Sequence, residues 1–241
     1  MNIRLRRFYI YVVIVALALL LNGSGFAASA AADCTAPECV YLPLVSNPMP
    51  VRVFETKRHN SRMSTLRVTG EVITTSDRPV YEVTVEVRVY DHSGRLLGSS
   101  PGITALAATL PDQLNPFDVT TNVDDDGSIG SYEVVITQWS LESEQVYRPA
   151  TAVITGMEYI YSGTWVYAEA RNDESQTLAD VYEVVWSLNQ NDYSPVSAQP
   201  IAACLAPGEM VAFTRFIRGT WGGGDAPIQV AAQGVLSPCT P

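Results

Sequence analysis

Histidine is almost missing from this chain of 241 residues: His59 and His92 are the only two. Catalysis by a nucleophile with an imidazole base would have to run through one of them. His59 sits in ETKRHNSRMS and His92 in YDHSG. Loops of that composition run over the surface, so both are expected to be solvated turn residues. No phosphate-binding glycine loop or H-E-x-x-H pair occurs. Two carboxylates would suffice for glycoside hydrolysis, but spacing along a chain does not bring a particular pair together. The expectation is a protein without catalytic residues; a hydrolase with an acidic site is one alternative.

Long apolar runs are also missing. The longest, Phe8 to Leu21, has 14 residues, short of the roughly 20 that span a bilayer. Arg4, Arg6 and Arg7 precede it; Asn22, Gly23, Gly25 and the small-residue site Ala28-Ser29-Ala30 follow. This order reads as a cleaved signal peptide over residues 1–30. A retained anchor is the alternative. Lipidation at Cys34 is disfavoured because Asp33 stands before it. Cleavage removes three arginines and takes the formal charge from −10 to −13. So acidic a product repels nucleic acid and anionic membrane surfaces. Secreted or cell-surface residence is expected, with no membrane span after cleavage.

Cysteine is sparse too: Cys34, Cys39, Cys204 and Cys239. There is no second closely spaced pair and little histidine to complete a zinc shell. An even number in an exported chain reads as disulfides. Of the three pairings, Cys34–Cys39 and Cys204–Cys239 are favoured, the second tying the tail back to a strand.

No segment past the leader has helical periodicity. What the chain has instead is alternation, and it has it twice. In VYEVTVEVRVYDHSGRLLG, Val83, Val85, Val87 and Val89 point one way. In VYEVVWSLNQ, Tyr182, Val184, Trp186 and Leu188 repeat this 99 residues later. LPDQLNPF from Leu110 matches APGEMVAF from Ala206, pairing Pro111 with Pro207, Leu114 with Met210 and Phe117 with Phe213. Val68, Gly70 and Val72 correspond to Val166, Ala168 and Ala170 in the opening strands. Short strands separated by Asp-Gly, Ser-Gly, Pro-Gly and Asn-Pro turns predict an all-β fold of two tandem sandwiches. Residues 31–50 would be an N-terminal linker carrying Cys34 and Cys39, 51–148 the first sandwich and 149–241 the second. The seam is expected as a short connector at Arg148-Pro149-Ala150.

The VTGEV strand, VRVYDHSGRLLG, LPDQLNPF and SYEVVITQW together resemble an FxLYD-type domain, a small immunoglobulin-like sandwich of exported bacterial proteins. The resemblance covers most of residues 51–148. The second copy departs where SLNQNDYSPV replaces the Tyr-Asp-x-x-Gly turn. The resemblance implies a fold and no shared catalytic residues. CVYLPLVSNP also resembles a short motif near the mature ends of exported bacterial proteins.

Two features point to ligands. In NVDDDGSIGSYE, Asn122, Asp124 and Asp126 occupy positions one, three and five of a twelve-residue calcium loop, with Gly127 at six and Glu133 at twelve. Ser128 would add its carbonyl. The flanks read as strands, however, which makes an acidic Asp-Gly hairpin the competing assignment. No cofactor is required, and Ca2+ is the one candidate ion. In MEYIYSGTWVYAEA, with a turn at Ser162-Gly163, alternation directs Trp165 and Tyr167 outward; Trp221 stands among glycines. Exposed aromatics bind sugars or partner surfaces, whereas burial under a loop is the commoner fate. The basic residues Arg52, Lys57, Arg58, Arg62 and Arg67 are expected on a solvated strand pair. The expected function is a non-enzymatic interaction or structural module meeting a protein or glycan at the cell surface, the alternative being a carbohydrate-binding accessory protein.

Overall fold

Alternation becomes strand throughout the residues that the computed structural model describes, which are 49–59, 64–123, 129–188, 196–218 and 227–239. The leader, Cys34, Cys39, Asp124, Asp126, Ser128 and Trp221 lie outside them. Seven strands come first: β1 (Val51–His59), β2 (Thr65–Thr74), β3 (Val80–Asp91), β4 (Leu96–Ile103), β5 (Ala108–Thr109), β6 (Asn115–Asn122) and β7 (Ile129–Ser140). Six follow: β8 (Tyr147–Ile160), β9 (Gly163–Arg171), β10 (Leu178–Trp186), β11 (Gln199–Leu205), β12 (Met210–Arg218) and β13 (Gln229–Leu236). No helix occurs among the described residues.

The pairing scheme repeats. β1-β2-β6 form one sheet, and β3 pairs with β4, β5 and β7 in another. Later in the chain β8-β9-β12 pair in the first manner, while β10 pairs with β11 and β13 in the second. All the pairs are antiparallel. The last six strands nevertheless form one continuous path, because the start of β8 pairs with β13 and its remainder with β9. Pro149 and Ala150, expected in a connector, therefore lie within a strand, opposite Gln233 and Ala232. Proline is tolerated there because β9 joins β8 only from Thr151 onward, so the missing N–H breaks no second ladder. By their contacts the described residues fall within one compact unit.

The LPDQ and APGE turns superpose in kind. Gln113 N–H donates to Leu110 O at 3.1 Å and Glu209 N–H to Ala206 O at 3.0 Å. Asp112 (φ 60°) and Gly208 (φ 75°) take the same left-handed conformation. Proline followed by a positive-φ residue is the type II turn signature. Phe117 then falls opposite Gly70, and Phe213 opposite Ala168. A Cβ on Gly70 would lie 2.4 Å from the Phe117 ring, so the glycine of VTGEV is set by that close approach. Asp91 shapes the YDHSG turn by accepting the N–H groups of Ser93 and Arg95 at 2.8 and 2.9 Å.

The spacing of the repeated β3-like strand is corrected by one residue. Glu82 (φ 53°) and Asp180 (φ 46°) are equivalent left-handed positions near the starts of β3 and β10, 98 residues apart and not 99. A slip of one exchanges the two faces of a strand. Val83, Val85, Val87 and Val89 do line the first core. Their counterparts on β10 are Val181, Glu183, Val185 and Ser187, and Val181 joins the second core. Tyr182, expected inside, is 42% exposed. Val184 and Trp186 are buried on the opposite face of β10, in a third cluster with Leu106 from the first half of the chain.

Cys204 and Cys239 are bonded, with Cα atoms 5.8 Å apart and a sequence separation of 35. Restricting the unfolded chain over such a loop stabilises the fold by about 3–4 kcal/mol.

Candidate functional site

The third cluster marks where the outer face of the β1-β2-β6 sheet is covered by the later strands. Arg67, Thr69 and Glu71 alternate with the core-facing Leu66, Val68 and Val72 along β2. They would be solvated on an isolated sheet, yet Thr69 and Glu71 are buried. Glu71 Oε1 accepts the Trp186 Nε1–H at 2.7 Å and a Gln229 Nε2–H at 2.6 Å. Burial raises the Glu71 carboxyl above its ordinary pKa, partly offset by the Trp186 bond. Arg67, expected to be solvated, holds Asp118 in a two-point ion pair (2.9 and 2.6 Å), and Asp118 also accepts Val196 N–H at 3.2 Å. With its amide oriented to satisfy both groups, Gln233 donates to Ala108 O and accepts from Ala107 N.

His59 also departs from expectation. It ends β1 on this covered face, 7% exposed, with Nε2 2.7 Å from Thr69 Oγ1. The ETKRH segment reads as a turn by composition, but its register against Arg67 makes it strand. Burial first, then Arg67 and Lys57, push the imidazole down to about 4, with Asp118 opposing. His92 is an exposed turn residue. The depressed value has a consequence for stability. An unfolded histidine titrates near 6.5, so the stability contributed by neutral His59 is complete above that pH and is lost as the pH falls from 6.5 to about 4. At about 1.4 kcal/mol per unit, the loss is at most about 3 kcal/mol. NMR titration should find His59 neutral at pH 5. Replacing it with Gln should remove this component from the acid limb of the stability profile.

Of the calcium-loop residues, Asn122 closes β6 and is exposed, while Asp124, Asp126 and Ser128 lie outside the described residues. Glu133 stands on β7, where Tyr90 donates to it at 3.1 Å and Arg88 approaches at 3.9 Å. The strand places Glu133 beside β3, as the sequence anticipates for a residue outside a helical hand. Among the described residues no group of three or more potential metal ligands occurs.

The aromatic face is clearer. Trp165 and Tyr167 alternate on β9 with buried Val166 and Ala168, and are 38% and 40% exposed. Trp165 is flanked by Glu158 and Phe216 and packs on the Phe216 ring at 4.9 Å between centroids. Tyr167 donates its hydroxyl to Glu158 at 3.0 Å. The hairpin turn is Tyr161-Ser162, one residue earlier than expected, since Ile160 pairs with Gly163. A Cβ on Gly163 would lie 2.1 Å from Ile217 O, which fixes the glycine in the strand.

A groove runs beside the covered face, in two joined parts of about 740 and 800 Å3. Both parts share Ile103, Thr104, Leu106, Ala107, Gln145 and Tyr147. Asn115 holds its floor by accepting Leu106 N–H and donating to Leu106 O, both at 2.9 Å. Neither part was visible in the sequence, because the walls come from segments separated along the chain, within residues 81–147 for one and residues 102–235 for the other.

No protein-family model matches the chain, and no curated protein matches it. Among solved structures, red sea bream transglutaminase aligns at 9% identity and a TM-score of 0.27, over 76% of this chain and 28% of that one. The chain thus spans just over a quarter of that enzyme's length. A tandem CBM22-1–CBM22-2 domain from Paenibacillus barcinonensis Xyn10C aligns at 8% identity and a TM-score of 0.14, over 79% of this chain and 85% of that one. Neither likeness carries a functional argument.

Proposed function

We propose that the chain is an exported, non-enzymatic protein of two tandem immunoglobulin-like sandwiches of the FxLYD type, serving as an interaction or structural module at the cell surface or beyond it. The observation that carries this reading is the strand-pairing scheme that occurs twice, with its two copies joined through Glu71, Trp186 and Gln229. Such an arrangement suits a rigid spacer that presents hairpin tips and sheet faces to a partner. The Cys204–Cys239 bond accords with an oxidising compartment. The test is fractionation of the native culture, followed by cross-linking of whichever fraction holds the protein. Mature protein starting near residue 31, in the supernatant or on the cell surface, is the expected result. Full-length protein confined to the cytoplasm with four free thiols would defeat the proposal.

Carbohydrate binding is the second reading, favoured by the juxtaposition of Trp165, Phe216 and Tyr167 on a solvent-facing sheet. Aromatic faces stack on sugar rings. Binding on a glycan array, lost in Trp165→Ala with no change in melting temperature, is the expected outcome of this reading. Silence across every glycan ends it.

A further inference from the structure

The groove beside the covered face supplies a site independent of the aromatic sheet. It is concave and lies at the seam between the earlier and later strands, where ligand sites preferentially form. Three tyrosines stand along it: Tyr81 from β3, Tyr147 from the start of β8 and Tyr182 from β10. Tyr81 and Tyr147 have ring centroids 6.1 Å apart, tilted at 48°, and Tyr147 donates its hydroxyl to Gln145. Tyr182 is the residue that the one-residue slip in β10 turned outward, and here it finds a place.

The remaining lining has one sign of charge. Glu82, Glu142 and Glu144 line one part and Asp180 the other, all of them exposed. Asp118 lines the groove as well, but its charge is answered by Arg67. No Lys or Arg occurs among the described lining residues. An anionic ligand would meet only repulsion there. A compact ammonium group would meet carboxylates and tyrosine side chains, the combination that binds alkylammonium ions.

We propose that this groove binds an alkylammonium ligand, whether a free polyamine or a lysine side chain of a partner peptide, with Tyr81, Tyr147 and Tyr182 packing around the chain and Glu82, Glu144 and Asp180 facing its charge. The inference goes beyond the interaction-module reading and does not depend on where the protein resides.

Calorimetric titration of the purified protein with spermine and with tetralysine at low salt tests it. Saturable binding of at least one is expected, weakening several-fold as sodium chloride rises from 20 to 200 mM (about one decade of salt, over which charge-driven contacts fade). Tyr182→Ala and the pair Glu144→Gln with Asp180→Asn should each weaken it about tenfold or more, with melting temperatures unchanged because these side chains are exposed. Binding of tetralysine alone would identify a peptide as the source; binding of spermine, with or without tetralysine, would extend the site to free polyamines. Absence of binding by both, or affinity unchanged in the groove variants, would overturn the proposal, since cations would then be gathering elsewhere on an acidic surface. The fractionation experiment stands apart from either outcome.

Discussion

Arg215→Val is expected to destabilise the protein by about 3–5 kcal/mol at neutral pH, the range for stranding one member of a buried ion pair. Arg215 on β12 donates to Glu183 on β10 across the interior of the later sheets. The Glu183 side chain is 1% exposed, and its second oxygen, Oε2, has no hydrogen-bond partner among the described residues. Burial raises its pKa, partly offset by Arg215. Without Arg215 that offset disappears and the carboxyl rises further. A carboxyl whose folded pKa lies above its unfolded one destabilises at high pH and recovers as the pH falls toward the unfolded value. The deficit of Arg215→Val should therefore shrink as the pH falls from neutrality toward the ordinary carboxylate range, as measured by denaturant unfolding.

The repeat supplies the control. The positions equivalent to Glu183 and Arg215 in the first half are Val85 and Val119, both in the apolar core. Placing valine at both later positions restores an apolar pair, and a buried ion pair exchanged for apolar side chains is often neutral or stabilising. Glu183→Val with Arg215→Val should thus lie within about 1 kcal/mol of the parent or above it, giving a coupling energy of several kcal/mol between the two sites. A double variant as unstable as the sum of the single variants would show that the two groups act independently.

The second large effect is expected at Trp186. Trp186→Ala removes a buried indole from the third cluster and should cost about 3–5 kcal/mol. Trp186→Phe keeps most of the packing and deletes only the Nε1–H that Glu71 accepts. A hydrogen bond to a charged group is worth roughly 1.5–3 kcal/mol, and Phe should lose about that much. Because Glu71 belongs to the early strands and Trp186 to the late ones, Trp186→Ala should also split the calorimetric transition in two. A single sharp transition at the parent temperature would contradict the assigned joint.

Much of this fold was legible in the residues. Alternating valines gave β3, and the match of LPDQLNPF to APGEMVAF gave two equivalent segments, whose left-handed residues Asp112 and Gly208 only the backbone shows. Phe117 and Phe213 declared their equivalence through spacing alone. The register of β10 did not show, because VYEV occurs in both halves three residues out of structural step, an odd offset that exchanges the two faces. Only backbone geometry at Glu82 and Asp180 reveals the offset. His59 and Glu71 were illegible for another reason: a polar residue on a strand reads as solvated until another sheet is known to cover it. The outward faces of Trp165 and Tyr167 followed from alternation. The groove did not, since sequence holds no record of which distant strands become neighbours.

The bond between Cys204 and Cys239 has a mechanical consequence. β13 ends at Leu236, three residues before Cys239, and Cys204 sits in β11 on the far side of β10. A pull on the chain end beyond Cys239 is thus shared between two strands that both pair with β10, one on each flank. Tension that would peel a lone terminal strand, rung by rung, must instead shear the pair together, so a tether attached at this end would hold under load for as long as the sulfurs stay joined.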